Sequence, residues 1–194
     1  MRKLTIESLL KLEDYAKARD EFRREVMAHK RDRALRLGGN LSLLFEDELT
    51  VRYQVQEMLR IERTFEEAGI REELDAYNPL IPDGSNLKAT MMIEYPDETV
   101  RRERLVALKG IERTVWLRVE GHDKTLAIAD EDLERETEDK TSAVHFLRFE
   151  LGAEAARSLK GGATLAAGVE HPQYRFTVDP VPENIREALA RDLD

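Results

Sequence analysis

The sequence predicts an α+β protein with a largely antiparallel sheet of about six or seven strands and long N-terminal helices packed on it. Apolar residues recur at steps of three and four in the N-terminal half, which is typical of amphipathic helices. Short stretches with alternating apolar and polar residues dominate the C-terminal half, which is typical of strands. The connections between these stretches are short and therefore indicate antiparallel pairing, because parallel strands need long crossovers.

The N-terminal half contains two long helical patterns. The first runs from Thr5, a possible N-cap, to about Arg33, and its apolar positions are Leu9, Leu12, Tyr15, Phe22 and Val26. The second runs from about Thr50 to Ala68, where we expect Gly69 to end it. The remaining predicted elements of this half are a buried strand at Leu41–Phe45 and a short helix at Arg71–Tyr77.

The C-terminal half alternates strands with shorter helices. The predicted strands are Leu87–Tyr95, Val115–Val119, Thr125–Ala129, Ser142–Leu151, Ala163–Val169 and Tyr174–Val178. The predicted helices are Asp97–Lys109, Ala153–Lys160 and Pro182–Leu193. No internal repeat or low-complexity tract divides the chain, so residues 1–194 are expected to form a single domain.

The composition excludes several classes of function. The chain has no cysteine, which excludes thiol nucleophiles, iron–sulfur ligation and redox pairs. A net charge of −9 argues against a general nucleic-acid surface. We interpret the basic stretch Arg23–Arg36 as the solvated end of a helix. No apolar run reaches the length of a membrane span and no signal-peptide core is visible, so we expect a soluble, cytoplasmic protein.

Strand alternation indicates a candidate ligand site. In Leu87–Tyr95, Ser142–Leu151 and Val115–Val119, polar and aromatic side chains share the face opposite the apolar one. The residues that this face is expected to gather are Lys88, Thr90, Glu94, Trp116, Arg118, Arg148 and Glu150. Such a face suits a small anionic or planar ligand. An ordinary solvated sheet face with cross-strand ion pairs is the alternative interpretation.

The helix from Thr50 carries a second candidate ligand-binding group. Gln56, Glu57 and Arg60 crowd a short polar region, and Glu57 lies one turn before Arg60. Amides beside an ion pair indicate partial burial. The group is therefore interpreted either as part of a ligand site or as a hydrogen-bonded network that packs this helix on the sheet.

Histidine and carboxylate side chains leave a metal site open as an alternative. Its candidate ligands are Glu57, Glu94, His122, His145 and Glu150, and a weaker helical set is Glu21, Glu25 and His29. We interpret His145 as a hydrogen-bonded core histidine, because it shares an apolar strand face. The acidic residues between Asp130 and Asp139 lack the spacing of a calcium loop and are interpreted as a solvated segment. No phosphate loop, nucleophile elbow or zinc-protease motif is present.

The chain resembles, over nearly its full length, a bacterial family catalogued as a domain of unknown function. Four long passages carry the resemblance: LLFEDELTVRYQVQEMLRIER, EELDAYNPLIPDGSNLKATMMIEYPD, IADEDLERETEDKTSAVHFLRFEL and GVEHPQYRF. Members are commonly encoded beside rubrerythrin-like di-iron proteins and iron–sulfur oxidoreductases of the heterodisulfide-reductase type. The resemblance therefore implies an accessory role beside such a partner in peroxide handling or electron transfer.

These observations define three hypotheses for function. The first is an accessory or ligand-binding protein of a redox or peroxide-stress system, because the sequence has no recognisable catalytic motif. The second is a metal-binding protein or metal-dependent enzyme that uses the histidine and carboxylate ligands named above. The third is a structural component of an assembly.

Overall fold

The structure is a computed structural model that describes residues 2–132, 135, 137 and 139–194. Within these residues the helices are α1 (Leu12–Arg31), α2 (Glu48–Glu62), α3 (Glu67–Tyr77), α4 (Glu98–Ala107), α5 (Ala153–Lys160) and α6 (Glu183–Ala190). The strands are β1 (Ala34–Arg36), β2 (Leu41–Phe45), β3 (Asn86–Ile93), β4 (Val115–Val119), β5 (Thr125–Leu126), β6 (Ile128–Ala129), β7 (Val144–Glu150), β8 (Leu165–His171) and β9 (Tyr174–Val178). No described helix combines the length and apolar composition needed to cross a membrane.

The α+β class and the antiparallel pairing are confirmed, but the strands form two sheets. The first sheet has the order β1-β2-β3-β7-β6 and the second the order β5-β4-β8-β9. The predicted strand Thr125–Ala129 breaks at Ala127, whose amide donates to the Val115 carbonyl oxygen at 2.9 Å. Leu126 then pairs with Trp116 in the second sheet, and Ile128 pairs with Arg148 in the first. The chain therefore passes from one sheet to the other at this residue.

The N-terminal helices differ from the expected bounds for local reasons. A 3-10 turn at Ile6–Ser8 precedes α1, and Thr5 caps this turn instead of the long helix. Helix α2 begins at Glu48, because the Asp47 side chain accepts a hydrogen bond from the Thr50 amide at 2.9 Å. It ends before Arg63, which adopts a left-handed conformation with φ of 56°. The prediction that Gly69 ends this helix is wrong, since Gly69 lies within α3.

The two sheets share one hydrophobic core, and a smaller core lies among the N-terminal helices. Strand β3 turns Leu87, Ala89, Met91 and Ile93 into the shared core, which also contains apolar residues of α4, α5 and α6. The smaller core consists of Leu4, Val51, Val55, Leu59, Leu74 and Ile81. Burial of each large apolar side chain contributes about 1.5–3 kcal/mol. Helices α1 and α2 pack on each other.

Arg33 departs from the interpretation of the basic stretch as solvated. Its side chain is only 2% exposed, and it forms ion pairs with Asp47 and Asp192. The guanidinium also donates to the backbone oxygens of Phe45 and Glu46, at 3.0 and 3.2 Å. Arg33 therefore ties the end of α1 to the β2–α2 junction and to the C-terminal residues.

The pKa values of the two carboxylates that share Arg33 are shifted in opposite directions. Burial raises the pKa of Asp192 to about 6, against the hydrogen bond from Arg33. Burial also acts to raise the pKa of Asp47, but the charge of Arg33 and the Thr50 amide outweigh it and lower that pKa. His29 adds a contact to Asp47, with its Nε2 atom 2.5 Å from Oδ2. His29 is thus engaged with Asp47, and not with Glu21 or Glu25.

Candidate functional site

A cleft of about 380 Å³ lies between helix α2 and the outer face of the first sheet. Because β3 and β7 turn every second residue into the core, the intervening residues face outward and form the cleft floor. The floor residues are Leu44, Thr90, Met92, Val144 and Phe146, and the wall residues are Lys30, Thr50, Val51, Gln54, Tyr77 and Leu80. Glu46 lies between floor and wall, so the cleft combines apolar surface with a few polar groups.

A smaller cavity of about 80 Å³ adjoins the cleft and shares Glu46, Leu80 and Phe146 with it. Lys88 and Arg148 line this cavity, and they pair directly across β3 and β7. The predicted residues Lys88, Thr90, Arg148 and Glu150 therefore lie together on one face of the first sheet. The roles of Lys88, Arg148 and Glu150 in binding stay predictions.

Glu46 is a buried carboxylate that lines both the cleft and the smaller cavity. It is 8% exposed and follows directly after β2. Its Oε2 accepts a hydrogen bond from the Thr50 hydroxyl at 2.5 Å, and its Oε1 accepts one from the Thr90 hydroxyl at 2.6 Å. Among the described residues Glu46 has no ion-pair partner. The β2–α2 junction and β3 therefore hold a carboxylate whose hydrogen bonds come from neutral hydroxyl groups.

Lys88 and Arg148, the two cations that line the smaller cavity, differ in how many hydrogen-bond donors they have left for a ligand. All three side-chain nitrogens of Arg148 are engaged, two with Glu131 at 2.7 and 2.8 Å and one with Glu150. The hydrogen bond to Glu131 is the largest cause of a raised pKa for Arg148. Lys88 donates to the Pro79 carbonyl oxygen at 2.5 Å, and burial lowers the pKa of its ammonium group. Lys88 is therefore the cation with donor capacity to spare.

The remaining residues of the predicted sheet-face site lie elsewhere. Glu94 follows the end of β3, where it accepts from the Ser42 hydroxyl at 3.0 Å and lies 3.5 Å from Arg36. Trp116 and Arg118 lie on β4 in the second sheet. The expectation that three neighbouring strands bring all of these side chains together is therefore wrong, because β4 does not pair with β3 or β7.

Trp116 is buried within the protein, so its ring is not accessible for a ligand to stack on it. It is 2% exposed, and the Lys124 ammonium lies 4.3 Å from its ring centroid. A Cβ atom added to Gly168 would lie 2.5 Å from the indole, so only glycine leaves room for the ring at this position. Arg118 forms an ion pair with Asp179 at 2.8 Å. Both predicted ligand residues thus have partners within the second sheet and the segment that follows it.

Gln56, Glu57 and Arg60 form contacts between N-terminal elements. Gln56 is 1% exposed and binds the backbone of Leu10 through both its amide oxygen and its amide nitrogen. Glu57 accepts bidentate hydrogen bonds from Arg19 at 2.8 and 2.9 Å and from Arg60 at 3.2 and 3.1 Å. The network therefore joins α2 to α1 and to the N-terminal segment, and not to the sheet.

The Glu57 network predicts a pH-dependent contribution to stability. The hydrogen bond from Arg19 is the largest cause that lowers the pKa of Glu57 from its ordinary 4.5 to about 2. Because the folded pKa is depressed, the stabilisation is present above pH 4.5 and is lost as the pH falls toward 2. We expect Glu57→Gln to destabilise the protein by about 1–3 kcal/mol at pH 7. Urea unfolding at successive pH values should show this difference shrinking as the pH falls from 4.5 to 2.

The matched control is Glu67→Gln. Glu67 forms an exposed i,i+4 pair with Arg71 on α3, and such pairs contribute less than about 1 kcal/mol. A Glu57→Gln difference that is constant from pH 7 to pH 2, or equal to that of the control, would contradict this account of the network.

The histidines are dispersed, and the metal alternative gains no support. His145 is fully buried; its Nδ1 lies 2.5 Å from Asp130 and its Nε2 lies 2.9 Å from the Thr141 hydroxyl. This confirms the interpretation of His145 as a hydrogen-bonded core residue. His122 contacts Ser158 at 2.9 Å. Within the part of the chain that the structure describes, no group of three or more histidine and acidic residues could hold a metal ion.

The predicted acidic segment is described only in part. Glu131 and Asp132 line the smaller cavity, and Asp130 binds His145. Glu134, Glu136 and Glu138 lie outside the described residues. The interpretation of the whole segment as solvated is thus replaced, at Asp130 and Glu131, by contacts to His145 and Arg148.

Sequence reasoning missed Glu46 and Thr50 as residues of the site. An acidic residue directly after a buried strand and next to a helix N-cap is a weak signal by itself. The cleft forms only because α2 lies over the outer face of the first sheet, which is a tertiary contact. The strand pattern could therefore locate the floor but not the wall.

The comparisons with known proteins give a family and a relative of known structure. The model of a family described as protein of unknown function, DUF3501, matches residues 3–193. The chain is similar to a solved structure, a novel protein of unknown function from Burkholderia pseudomallei K96243. The two are 55% identical, the match covers 100% of each chain, and the TM-score is 0.95. No curated protein matches the chain.

Proposed function

The chain belongs to the DUF3501 family of proteins of unknown function, and on that premise we propose its function from the geometry of the cleft. It is an accessory protein that binds a small amphipathic molecule between α2 and the outer face of the first sheet. The observation that carries this proposal is a largely apolar cleft of about 380 Å³ with a few polar groups in its lining. Small-molecule sites in proteins combine these features in this size range.

The apolar surface of the cleft supports a ligand with an apolar body. Val144 is 38% exposed on the cleft floor, next to Met92 across the β3–β7 pair. Phe146 and Leu80 extend this surface toward the smaller cavity. A ligand body that covers these side chains removes apolar area from water and gains about 25 cal/mol per Å².

The polar groups of the cleft can orient a bound molecule. The hydroxyl groups of Thr50 and Thr90 both donate to Glu46. Their protons are thus committed to the carboxylate, whose oxygens keep capacity to accept a donor from a ligand. No histidine is among the residues that line the cleft.

The small anionic ligand predicted from Lys88 and Arg148 stays a proposal, and it concerns the smaller cavity that these two residues line. An anionic group there would meet Lys88, whose ammonium group donates to Pro79 and retains further donors. Arg148 is already engaged with two carboxylates. An anionic group in contact with Lys88 is also expected to raise the lysine pKa that burial lowers.

A neutral amphipathic probe tests whether the cleft binds ligands. We expect 3-phenylpropanol to shift the amide NMR signals of residues around Thr90 and Phe146, with a dissociation constant on the order of millimolar. Val144→Trp fills the cleft from its floor and is expected to weaken this binding at least about tenfold. Ile128→Trp is the matched control, because Ile128 is an exposed residue of the same sheet that does not line the cleft.

Two results would contradict the ligand-binding proposal. One is the absence of saturable shifts around the cleft with neutral and charged probes alike. The other is equal binding by Val144→Trp and Ile128→Trp, which would place the probe elsewhere on the protein.

The gene neighbourhood that the resemblance implies adds a proposed partner. The accessory protein acts beside a rubrerythrin-like or iron–sulfur oxidoreductase protein, and the resemblance alone supports this partner. The test is co-purification of the full chain with each candidate in its oxidised and reduced forms. A stable complex supports the proposal, whereas a chain that elutes alone under every condition contradicts it.

A further inference from the structure

We infer that the ligand of the cleft carries a positively charged amine, which forms an ion pair with Glu46. This inference rests on the proposed ligand-binding function and specifies the chemistry of the molecule that the cleft accepts. It differs from the anionic group predicted at Lys88, because it concerns the group that Glu46 binds.

The first observation is a buried carboxylate that forms no ion pair with any described residue. Glu46 is 8% exposed, and its described hydrogen bonds come from the Thr50 and Thr90 hydroxyls. A carboxylate removed from water is unfavourable unless a cation or several strong donors compensate its charge. Each carboxylate oxygen can also accept more than one hydrogen bond, so both oxygens retain acceptor capacity. The carboxylate therefore keeps acceptor capacity and lacks an ion-pair partner among the described residues, which favours a cationic group on the ligand.

The second observation is that the cations nearest to the cleft are directed elsewhere. The buried Arg33 guanidinium donates to the Glu46 backbone oxygen at 3.2 Å, but its ion pairs are with Asp47 and Asp192. The Lys30 ammonium lies 5.6 Å from the ring centroid of Tyr53, and Lys88 donates to the Pro79 carbonyl oxygen. Arg148 is engaged with Glu131 and Glu150. No described lysine or arginine thus forms an ion pair with Glu46, although two lysines line the same connected cavities.

The third observation is the position of the carboxylate relative to the apolar surface. Glu46 lines both the cleft and the smaller cavity, as do Phe146 and Leu80. An ammonium group at Glu46 would therefore place the attached hydrocarbon against Met92, Val144 or Phe146. An anion at the same point would meet a like charge in a poorly hydrated place, which disfavours it. The geometry points to a primary amine on an apolar body as the ligand class.

Three probes with the same phenylpropyl body test this inference: 3-phenylpropylamine, 3-phenylpropanol and 3-phenylpropanoate. We expect the amine to bind at least about tenfold more tightly than the alcohol, because hydrogen bonds between charged groups are the strong ones. Glu46→Gln should abolish this preference and leave alcohol binding within about twofold, since glutamine keeps the side-chain shape. Glu48→Gln removes the same charge on the first turn of α2, outside the cleft, and should leave the preference intact.

The outcomes separate this inference from the proposed function. Tighter amine binding that Glu46→Gln removes and Glu48→Gln retains supports the inference. Equal binding of amine and alcohol overturns the amine inference while the cleft remains a ligand site. Loss of binding for all three probes overturns the proposed function itself. If Glu46→Gln fails to fold, Thr90→Val is the second variant, because it removes one hydroxyl donor to Glu46 and keeps the carboxylate. A stronger preference of this variant for the amine over the alcohol supports the inference. An unchanged preference opposes it.

Discussion

Replacing Arg33 with methionine is expected to destabilise the protein by about 3–5 kcal/mol, the usual cost of removing one partner from a buried ion pair. Methionine keeps most of the aliphatic length but has no donor. The substitution leaves Asp47 and Asp192, which are 7% and 5% exposed, without their shared cation. It also removes the hydrogen bonds to the backbone oxygens of Phe45 and Glu46. Urea unfolding followed by the fluorescence of Trp116, the single tryptophan of the chain, measures the change.

Arg36→Met is the matched control for Arg33→Met. Arg36 lies on β1, its side chain is 59% exposed, and its ion pair with Glu94 spans 3.5 Å. We expect this control to change stability by less than about 0.5 kcal/mol. A free energy of unfolding for Arg33→Met within about 1 kcal/mol of the wild-type value would show that the buried network contributes little net stability. Some buried ion pairs in proteins can be replaced by apolar residues at such a small cost.

Replacing His145 with leucine is expected to destabilise the protein by about 2–4 kcal/mol. His145 is fully buried on β7, and its ring nitrogens contact Asp130, the Thr141 hydroxyl and the Ser142 carbonyl oxygen. Leucine has a side chain of similar size but removes the contacts to the Asp130 carboxylate, the Thr141 hydroxyl and the Ser142 carbonyl oxygen. Thermal and urea unfolding, followed by circular dichroism, measure the change.

The control for His145 is His122→Leu. His122 lies in the turn after β4, is partly exposed and has one side-chain contact, to Ser158. Its replacement should cost less than about 1 kcal/mol. Equal losses in the two variants would contradict a specific role for the buried His145 contacts.

Much of the strand-level organisation could be predicted from the sequence, because it depends on local alternation. The pattern Leu87, Ala89, Met91 and Ile93 correctly identified the core face of β3, and hence the outward positions of Lys88 and Thr90. The apolar positions of β7 were assigned correctly for the same reason. A side-chain period of two follows from backbone geometry and needs no tertiary information.

The features that could not be predicted depend on contacts between distant residues. The division into two sheets occurs at Ala127. On one side of it Leu126 pairs with Trp116, 10 residues away in the sequence, and on the other side Ile128 pairs with Arg148, 20 residues away. The sequence of Thr125–Ala129 is equally consistent with one continuous strand. Trp116 and Arg118 were therefore assigned to the wrong neighbours.

Burial of charged residues was the other source of error. Arg33 stands in a basic stretch that is typical of a solvated helix end, and its carboxylate partner Asp192 is 159 residues away in the sequence. Glu46 likewise has a partner 44 residues away, Thr90. No local pattern distinguishes these two charges from their exposed neighbours, so their roles become visible only in the folded chain.

The most direct test of the account is a crystal structure of the full chain with 3-phenylpropylamine. The account predicts an ammonium group within about 3 Å of the Glu46 carboxylate and a phenyl ring among Met92, Val144 and Phe146. An amine bound at another surface while the cleft stays free, or a probe whose ammonium group points away from Glu46, would contradict it.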